Sequence, residues 1–361
     1  MKILHIIAST GIGGAEKHLL DLCLQQRHSG LEIGVALPAE GELSAALRQH
    51  GIACHLIRAG GRWHPLALWS IRQLMRRIQP DLVHAHMLKS AAMVGRADRS
   101  VACVATAHNI VKHLGPFRFC REVICVSDSV RDSLIRAGYP ENRATVVHNA
   151  VDTAAFGMRQ RELLRQALGW QGHLIVLCVA RLVPAKGQRF AIEALAQLPS
   201  YTPPIRLVLV GAGPDRDSLL QLAEKLGVSE RVLMLGARTD VPDLLAACDI
   251  YLQPSLKEGF CIAILEAMAT GLACIGTTTG AIPAMLDSGN NGLLIPPGDP
   301  QAIADAIDAL ATDVVRRRHF GQAAKQTAQT RFSLQKQAAD TLTVYQRVLK
   351  NRCQAHSSEL R

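Results

Sequence analysis

No apolar stretch in this chain of 361 residues approaches the roughly 18 needed to cross a bilayer, because a charge, glycine or proline interrupts every one. That excludes an integral membrane protein and leaves a soluble or peripheral one. Met1-Lys2 runs straight into ILHIIAST, whose apolar part is too short for a signal sequence and is followed by a glycine loop, so it reads as a first strand. Aromatic residues make up only 4% of the chain, and no nucleic-acid module or stacked aromatic platform is recognisable. The ten cysteines are scattered singly, mostly in apolar runs such as those around Cys103, Cys125 and Cys178. With no CxxC and no Cys/His pattern at zinc-ligand spacing, they read as small buried hydrophobes of a reducing cytoplasm. Low-complexity segments are absent as well.

What is present is a large apolar fraction, 48%, and a basic balance: 40 Lys and Arg against 30 Asp and Glu, a net charge of +10. The excess favours a polyanionic partner: a phosphorylated substrate, an anionic membrane surface or nucleic acid. Short β-branched runs alternate with helical patterns, as in KILHIIA followed by AEKHLLDLCLQQRHSG, which argues for βαβ units and parallel sheets. The series restarts at HLIVLCVAR, so two doubly wound Rossmann-like domains are expected rather than one large sheet. The boundaries expected are 1–152 for the first domain, 153–331 for the second, 332–350 for a helix returning toward the first, and 351–361 for a frayed tail. Residues 152–172, without a strand pattern, read as linker plus a leading helix.

Several loops at strand ends carry chemistry. STGIGGAEKHLLDL places Gly11, Gly13 and Gly14 between a strand and a helix, where free amides and the positive helix end favour an anion, although a plain tight turn has the same look. It is not the dinucleotide fingerprint, since the spacing is G-x-G-G. VARLVPAKGQ puts Arg181 and Lys186 beyond the C-terminal edge of a strand, where open α/β sheets bind ligands. Arg forks onto phosphate oxygens and Lys adds a point charge. In KEGFCIAILEAMATG, Glu258 sits on the loop entering a helix and Glu266 lies about two turns along it. The two acids are spaced to grip sugar hydroxyls; equally, Glu258 caps the helix and Glu266 pairs with a structural arginine. TAHN ends a strand with His108, a histidine that either faces a cleft or is structural, and His84, His86 and His148 have less claim to function.

These pieces, in this order, resemble the retaining glycosyltransferases of the GT-B fold, family 4. The resemblance rests on GGAE (13 to 16), TAHN (106 to 109), HNAVD (148 to 152), VARLVPAKG (179 to 187), the run from Gly236 to Thr277, and GAIP with GNNGLLIPPGD up to Asp299. It implies two Rossmann-like domains facing across a cleft, with nucleotide sugar on the second and acceptor on the first. Carried over residue by residue, Arg181 and Lys186 hold the diphosphate, Glu266 the ribose and Glu258 the sugar. Phe260, Cys261 and Ile262 bring backbone amides to the helix start, Gly259 joins the donor-binding set, Gly236, Ala237 and Arg238 form the base-binding loop, Gly13 and Gly14 approach the phosphates or acceptor, and His108 touches the transferred sugar. Glu16, Asn109 and Asn149 are acceptor-side candidates. The chain departs from the family at Asn149-Ala150-Val151-Asp152, commonly Asn-Gly-Val-Asp, and at Gly280-Ala281-Ile282-Pro283-Ala284, where a glutamate is usual in the last place.

No acid pair of the DxD type stands in the expected context, so no cofactor and no metal are expected, and cations and helix amides must stabilise the leaving diphosphate. The expectation is a metal-independent, retaining transfer from a UDP-hexose or UDP-HexNAc to a glycan or lipid-linked acceptor, in lipopolysaccharide or other surface-polysaccharide synthesis. Front-face retention follows from the resemblance alone. GGRWHPLALWSIRQLMRRIQP, with Trp63, Trp69, Arg72, Arg76 and Arg77, and KHLGPFRFCR combine basic and aromatic residues that suit an anionic bilayer, or else an ordinary solvated helix. The expected location is cytoplasmic, peripheral on the inner membrane face if that helix docks. Competing readings are a nucleotide-sugar epimerase or sugar phosphorylase on the same plan, and a non-catalytic nucleotide-sugar-binding module.

Overall fold

The computed structural model describes residues 1–11, 13–58, 65–98, 100–156, 160–201 and 203–359, with side chains as far as 352. The chain divides into two compact units, Met1–Asn149 with the segment from Leu334 onward, and Ala150–Ser333. The first holds strands β1 (Lys2–Ile7), β2 (Glu32–Leu37), β3 (Ala53–Leu56), β4 (Leu82–His86), β5 (Ala102–Ala107), β6 (Glu122–Cys125) and β7 (Ala144–Val146). Between them run α1 (Gly14–His28), α2 (Glu42–Gln49), α3 (Pro65–Ile78), α4 (Met87–Ala97) and α5 (Asp128–Arg136). The sheet is parallel throughout, in the order β3-β2-β1-β4-β5-β6-β7.

The second unit opens with α6 (Arg161–Ala167), then β8 (Leu174–Val179), α7 (Gln188–Gln197), β9 (Ile205–Val210), α8 (Arg216–Lys225), β10 (Val232–Gly236) and α9 (Val241–Ala247). It continues with β11 (Ile250–Gln253), α10 (Ile262–Thr270), β12 (Ala273–Thr277), α11 (Ile282–Met285), β13 (Gly292–Ile295), α12 (Pro300–Thr312) and α13 (Val314–Arg331). Its parallel sheet has the order β10-β9-β8-β11-β12-β13. The last helix, α14 (Leu334–Glu359), belongs to the first unit and runs on through the segment that reads as a tail in sequence. Two Rossmann-like parallel sheets are thus what the alternation of patterns foretold.

Strands such as LIVLCV and ACVATA lack polar alternation because helices cover both faces of a parallel sheet. Helix starts follow local chemistry: Asp299 accepts the amide of Ala302 at 3.0 Å with Pro300 in first position, and Asp313 accepts that of Arg316 at 2.8 Å. In the leading segment of the second unit, α6 is pinned by its arginines. Arg161 and Arg165 reach Asp249 at 2.6 and 3.1 Å, and Asp249 also takes the amide of Ile175 at 2.8 Å.

The core of the first unit is polar along one line. His84 and His86, two apart in β4, share a face, and His84 stands in register with His5 of β1. His5, His84 and His86 are fully buried with ring centroids 4.2 to 5.3 Å apart. Partners come from far along the chain: His84 meets Tyr345 of α14 at 2.5 Å and Thr106 at 2.7 Å, while Gln26 of α1 bridges His5 at 2.8 Å and the Tyr345 hydroxyl at 3.1 Å. Burial pushes the His5 and His18 pKa values down to about 4, and those of His84, His86 and His108 well below the usual 6.5. These rings are neutral in the folded protein at physiological pH.

In the second unit, loops leaving the C-terminal strand edge are packed backbone to backbone. Gly187, at φ +68°, leaves no room for a side chain, since an added Cβ would lie 2.0 Å from the carbonyl oxygen of Pro254. Gly280, at φ +56°, likewise presses on the carbonyl of Glu258, at 2.4 Å from such a Cβ.

Gly280→Ala is therefore expected to lower unfolding free energy by about 2 to 4 kcal/mol, measured by urea denaturation. The buried histidines set a pH dependence. Between about pH 6.5 and 4 the unfolded chain binds protons that the folded one refuses, so stability is full above that window and falls as pH drops through it. The loss is on the order of 1.4 kcal/mol per pH unit per histidine, read from urea midpoints across the range.

Candidate active site

In an open α/β sheet the crevice forms where neighbouring strands send their chains to opposite faces, beyond the strands' C-terminal ends. In the second unit that point lies between β8 and β11. The chain leaves β8 through Ala180 and exposed Arg181, then turns over Pro184–Lys186 before α7. The chain leaving β11 passes Pro254 and Ser255 to Glu258. The amides of Leu256 and Lys257 both donate to the carbonyl of Ala185, at 2.9 and 3.2 Å, tying the two loops together.

On this frame Lys186 Nζ lies 2.5 Å from Glu258 Oε1, with side chains 20% and 5% exposed. A pair this buried holds only where hydrogen bonds repay desolvation. Here Ser255 Oγ donates to the same carboxylate oxygen at 2.8 Å and Gln253 Nε2 lies 3.3 Å from it. Behind them Gln253 Nε2 donates to Ser255 Oγ at 2.8 Å, and the Tyr251 hydroxyl to Gln253 Oε1 at 2.7 Å. Thr277 and Thr279 hold the Ser255 carbonyl at 2.7 and 3.3 Å. The sequence reading gave Lys186 and Glu258 separate tasks, on phosphate and on sugar; in the fold they are one pair. An ammonium has three donors, so Lys186 can serve Glu258 and an anionic oxygen together.

Helix α10 begins after Cys261, which makes no side-chain cap hydrogen bond. Ile262 at its start and Gly259 before it are partly exposed, and Glu266, half-buried, lies in its second turn. The Cys261 thiol is buried, and its pKa is well above the usual value. The Phe260 ring packs edge-on against Phe332 at 6.3 Å, so its side chain is core whatever its amide does. Gly236, at φ +69°, ends the edge strand β10 and accepts the amide of Gly211 at 2.8 Å. Ala237 and Arg238 follow, and Arg238 is engaged by Asp240 at 2.8 and 2.5 Å.

In the first unit Gly13 caps α1, which starts at Gly14, and its amide donates to Glu16 Oε2 at 3.1 Å. A carboxylate from the helix itself thus occupies the positive end that the sequence reading offered to an outside anion. Asn109 is exposed, whereas Asn149 is 5% exposed with its Oδ1 buried and unpartnered. His108 follows β5, partly exposed, with a buried and unpartnered Nε2. His108 does not stand alone: its ring lies 4.9 Å from that of His18 and 6.0 Å from that of His86. His5, His18, Gln26 and Tyr345 were missed in sequence and His84 and His86 ranked low; the period-two spacing of the last two was the available signal. Of the two basic stretches, KHLGPFRFCR buries Phe117, while Phe119, partly exposed, packs against Gly95 with the Arg118 guanidinium 4.6 Å from its ring centre. Trp63 lies outside the described residues, while Trp69 is 55% exposed on α3.

Comparison with known proteins identifies the family. Residues 12–155 match the model of Glycosyltransferase Family 4, and residues 160–327 that of Glycosyl transferases group 1. N-acetyl-alpha-D-glucosaminyl L-malate synthase of Bacillus anthracis is 31% identical over 307 residues, 80% of each chain. D-inositol 3-phosphate glycosyltransferase of Corynebacterium urealyticum is 28% identical over 344 residues, 90% of this chain and 79% of that one. HepE of Anabaena, solved with UDP, superposes with a TM-score of 0.85 at 29% identity, over 95% of this chain and 100% of its own; its UDP-glucose complex gives 0.83 at 30%, over 95% and 99%. The chain belongs to family 4 of the glycosyltransferases, glycosyl transferases group 1, with the GT-B fold.

Proposed function

We propose that this glycosyltransferase moves a hexose or N-acetylhexosamine from a UDP-sugar to an anionic acceptor, with retention at the anomeric carbon and without a metal ion. The observation that carries the donor is the likeness to HepE over nearly the whole chain in its complexes with UDP and UDP-glucose. Residues 153–331 would take the donor and 1–152 the acceptor. Arg181 and Lys186, at the switch point of their sheet, stabilise the departing diphosphate, aided by amides at the start of α10. Glu258 holds the Lys186 ammonium in place and presents its remaining capacity to the sugar; Glu266 binds the ribose. His108 contacts the transferred sugar.

The acceptor expected from sequence is a glycan or lipid-linked saccharide of the cell surface. The names of two relatives carry malate and inositol 3-phosphate, both anionic, and the chain's net charge of +10 suits such molecules as well as phosphorylated glycans. Docking on an anionic membrane is supported by α3, where Leu66 and Trp69 are exposed beside exposed Arg72, Arg76 and Arg77.

A thermal-shift screen of UDP-, GDP- and ADP-sugars should show selective stabilisation by UDP-sugars, and proton NMR of the product should show an unchanged anomeric configuration. Stabilisation by another nucleotide alone, or inversion, overturns the reading, and turnover with no acceptor beyond slow hydrolysis would favour the epimerase. Arg181→Ala and Lys186→Ala should each lower kcat/KM by about 100-fold or more, whereas Glu266→Ala should act mainly through donor KM. In flotation with vesicles rich in phosphatidylglycerol, Trp69→Ala combined with Arg72→Ala should weaken binding several-fold; equal binding would remove the membrane partner.

A further inference from the structure

The first unit carries a polar cavity at the edge of its sheet where the strands begin. Arg121 precedes β6, the turn Glu141–Arg143 precedes β7, and Arg347 lies midway along α14. With Arg118, Glu122 and Asn142 they line a cavity of about 480 Å³. His86 and His108 stand at the opposite edge, and β5, six residues long, sets the two edges roughly 15 to 20 Å apart. None of the donor or acceptor residues lines this cavity.

Four arginines and one carboxylate line it, and the charge of that carboxylate is already taken up. Glu122, 4% exposed, accepts Arg347 Nε at 3.1 Å, Arg347 Nη2 as well, and the Thr145 hydroxyl at 2.6 Å. Two prongs fix the Arg347 guanidinium, and its Nη1 makes no hydrogen bond among the described residues. Arg118 is held as well, its guanidinium 4.6 Å from the centre of the Phe119 ring. Arg118, Arg121 and Arg143 form no ion pair and no side-chain hydrogen bond among the described residues. Glu141, next to this group, is engaged by Arg131 at 2.7 Å. Arginines that merely solvate a basic surface are free to spread apart. Here separate parts of the chain bring like charge into one concavity, and two of the four guanidinia are fixed in advance.

The lining states the chemistry of the ligand. Each guanidinium forks onto a pair of oxygens, and a concave wall of one sign focuses the field on whatever enters. A carboxylate offers two oxygens and one charge, whereas a phosphate monoester offers three oxygens and nearly two charges, the better match to three arginines without a counter-ion. The volume falls within the roughly 300 to 1,000 Å³ of small-molecule sites, so the phosphate can be carried on an organic body. Asn142 and Asn351, both exposed and both lining the cavity, can donate to that body or accept from it.

The geometry points to a second anion site in this protein, at the N-terminal edge of the first sheet, which takes a phosphate monoester or diphosphate group on Arg118, Arg121, Arg143 and Arg347. The group comes from a free phosphorylated molecule or from a lipid headgroup; the chemistry is shared.

The test is calorimetric titration of the full chain with inorganic pyrophosphate, in a background of Arg181→Ala with Lys186→Ala that removes those two cations as a competing site. A single molecule should bind saturably. Adding Arg121→Ser with Arg143→Ser should weaken it by about tenfold or more. Arg136→Ser with Lys225→Ser, an equal loss of charge at exposed positions elsewhere, should change it by less than about twofold. The urea midpoint of the cavity pair should stay in place, since neither side chain has a partner to lose; if it falls, Arg143→Ser alone puts the same question. Flotation with phosphatidic acid vesicles separates the sources. Vesicle binding lost together with pyrophosphate binding in the cavity pair assigns the phosphate to a lipid, and vesicle binding unchanged while pyrophosphate binding is lost assigns it to a free molecule. The inference is overturned by absence of saturable pyrophosphate binding, by binding that the cavity pair leaves intact, or by equal loss in both pairs. None of these outcomes depends on the transferase reading, which the UDP-sugar screen decides separately.

Discussion

At the centre of each sheet two adjacent parallel strands, β1 with β4 and β8 with β11, carry their chains away to opposite faces. The crevice this leaves beyond their C-terminal ends is a consequence of right-handed crossovers and not of any side chain. The Lys186–Glu258 pair lies at that edge in one unit, and in the other His86 ends β4 and His108 follows β5 at that edge. Within each unit the apolar strands and their covering helices hold that edge in shape.

The two units meet the same difficulty, polar groups in a dry interior, in opposite ways. In the second, charge is kept and paired: Glu258 gathers Lys186, Ser255 and Gln253 around one oxygen, and the residual cost of desolvation is offset by that convergence. Among the buried histidines of the first, charge is given up. Burial drives the histidine pKa values down, and neutral imidazoles pass hydrogen bonds through Gln26, Tyr345 and Thr106 instead. A charged site suits a diphosphate and a neutral one suits hydroxyls, which is the chemical division a sugar transfer needs.

The family-bearing motifs were legible because they are local. An arginine and a lysine five residues apart on a loop, or two glutamates separated by seven residues around a helix start, declare themselves without knowledge of the fold. The histidines did not. His84 and His86 look like strand residues until Tyr345, 261 positions from His84, is packed against them, and His18 meets its partner Gln337 from 319 positions away. At KHLGPFRFCR basic residues and aromatics stand together in sequence, and only the short turn Gly115–Phe119 decides that Phe117 goes inward while Arg118 stays out.

The sequence by itself determined the two parallel sheets and the family, because hydrophobic period and loop composition act over a few residues. Tertiary structure alone decided that Lys186 and Glu258 are one ion pair, that Glu16 closes its own helix, and which partners the buried histidines meet. Those depend on atoms brought within about 3 Å from distant parts of the chain, and hydrogen-bond direction has no meaning until both partners are in place.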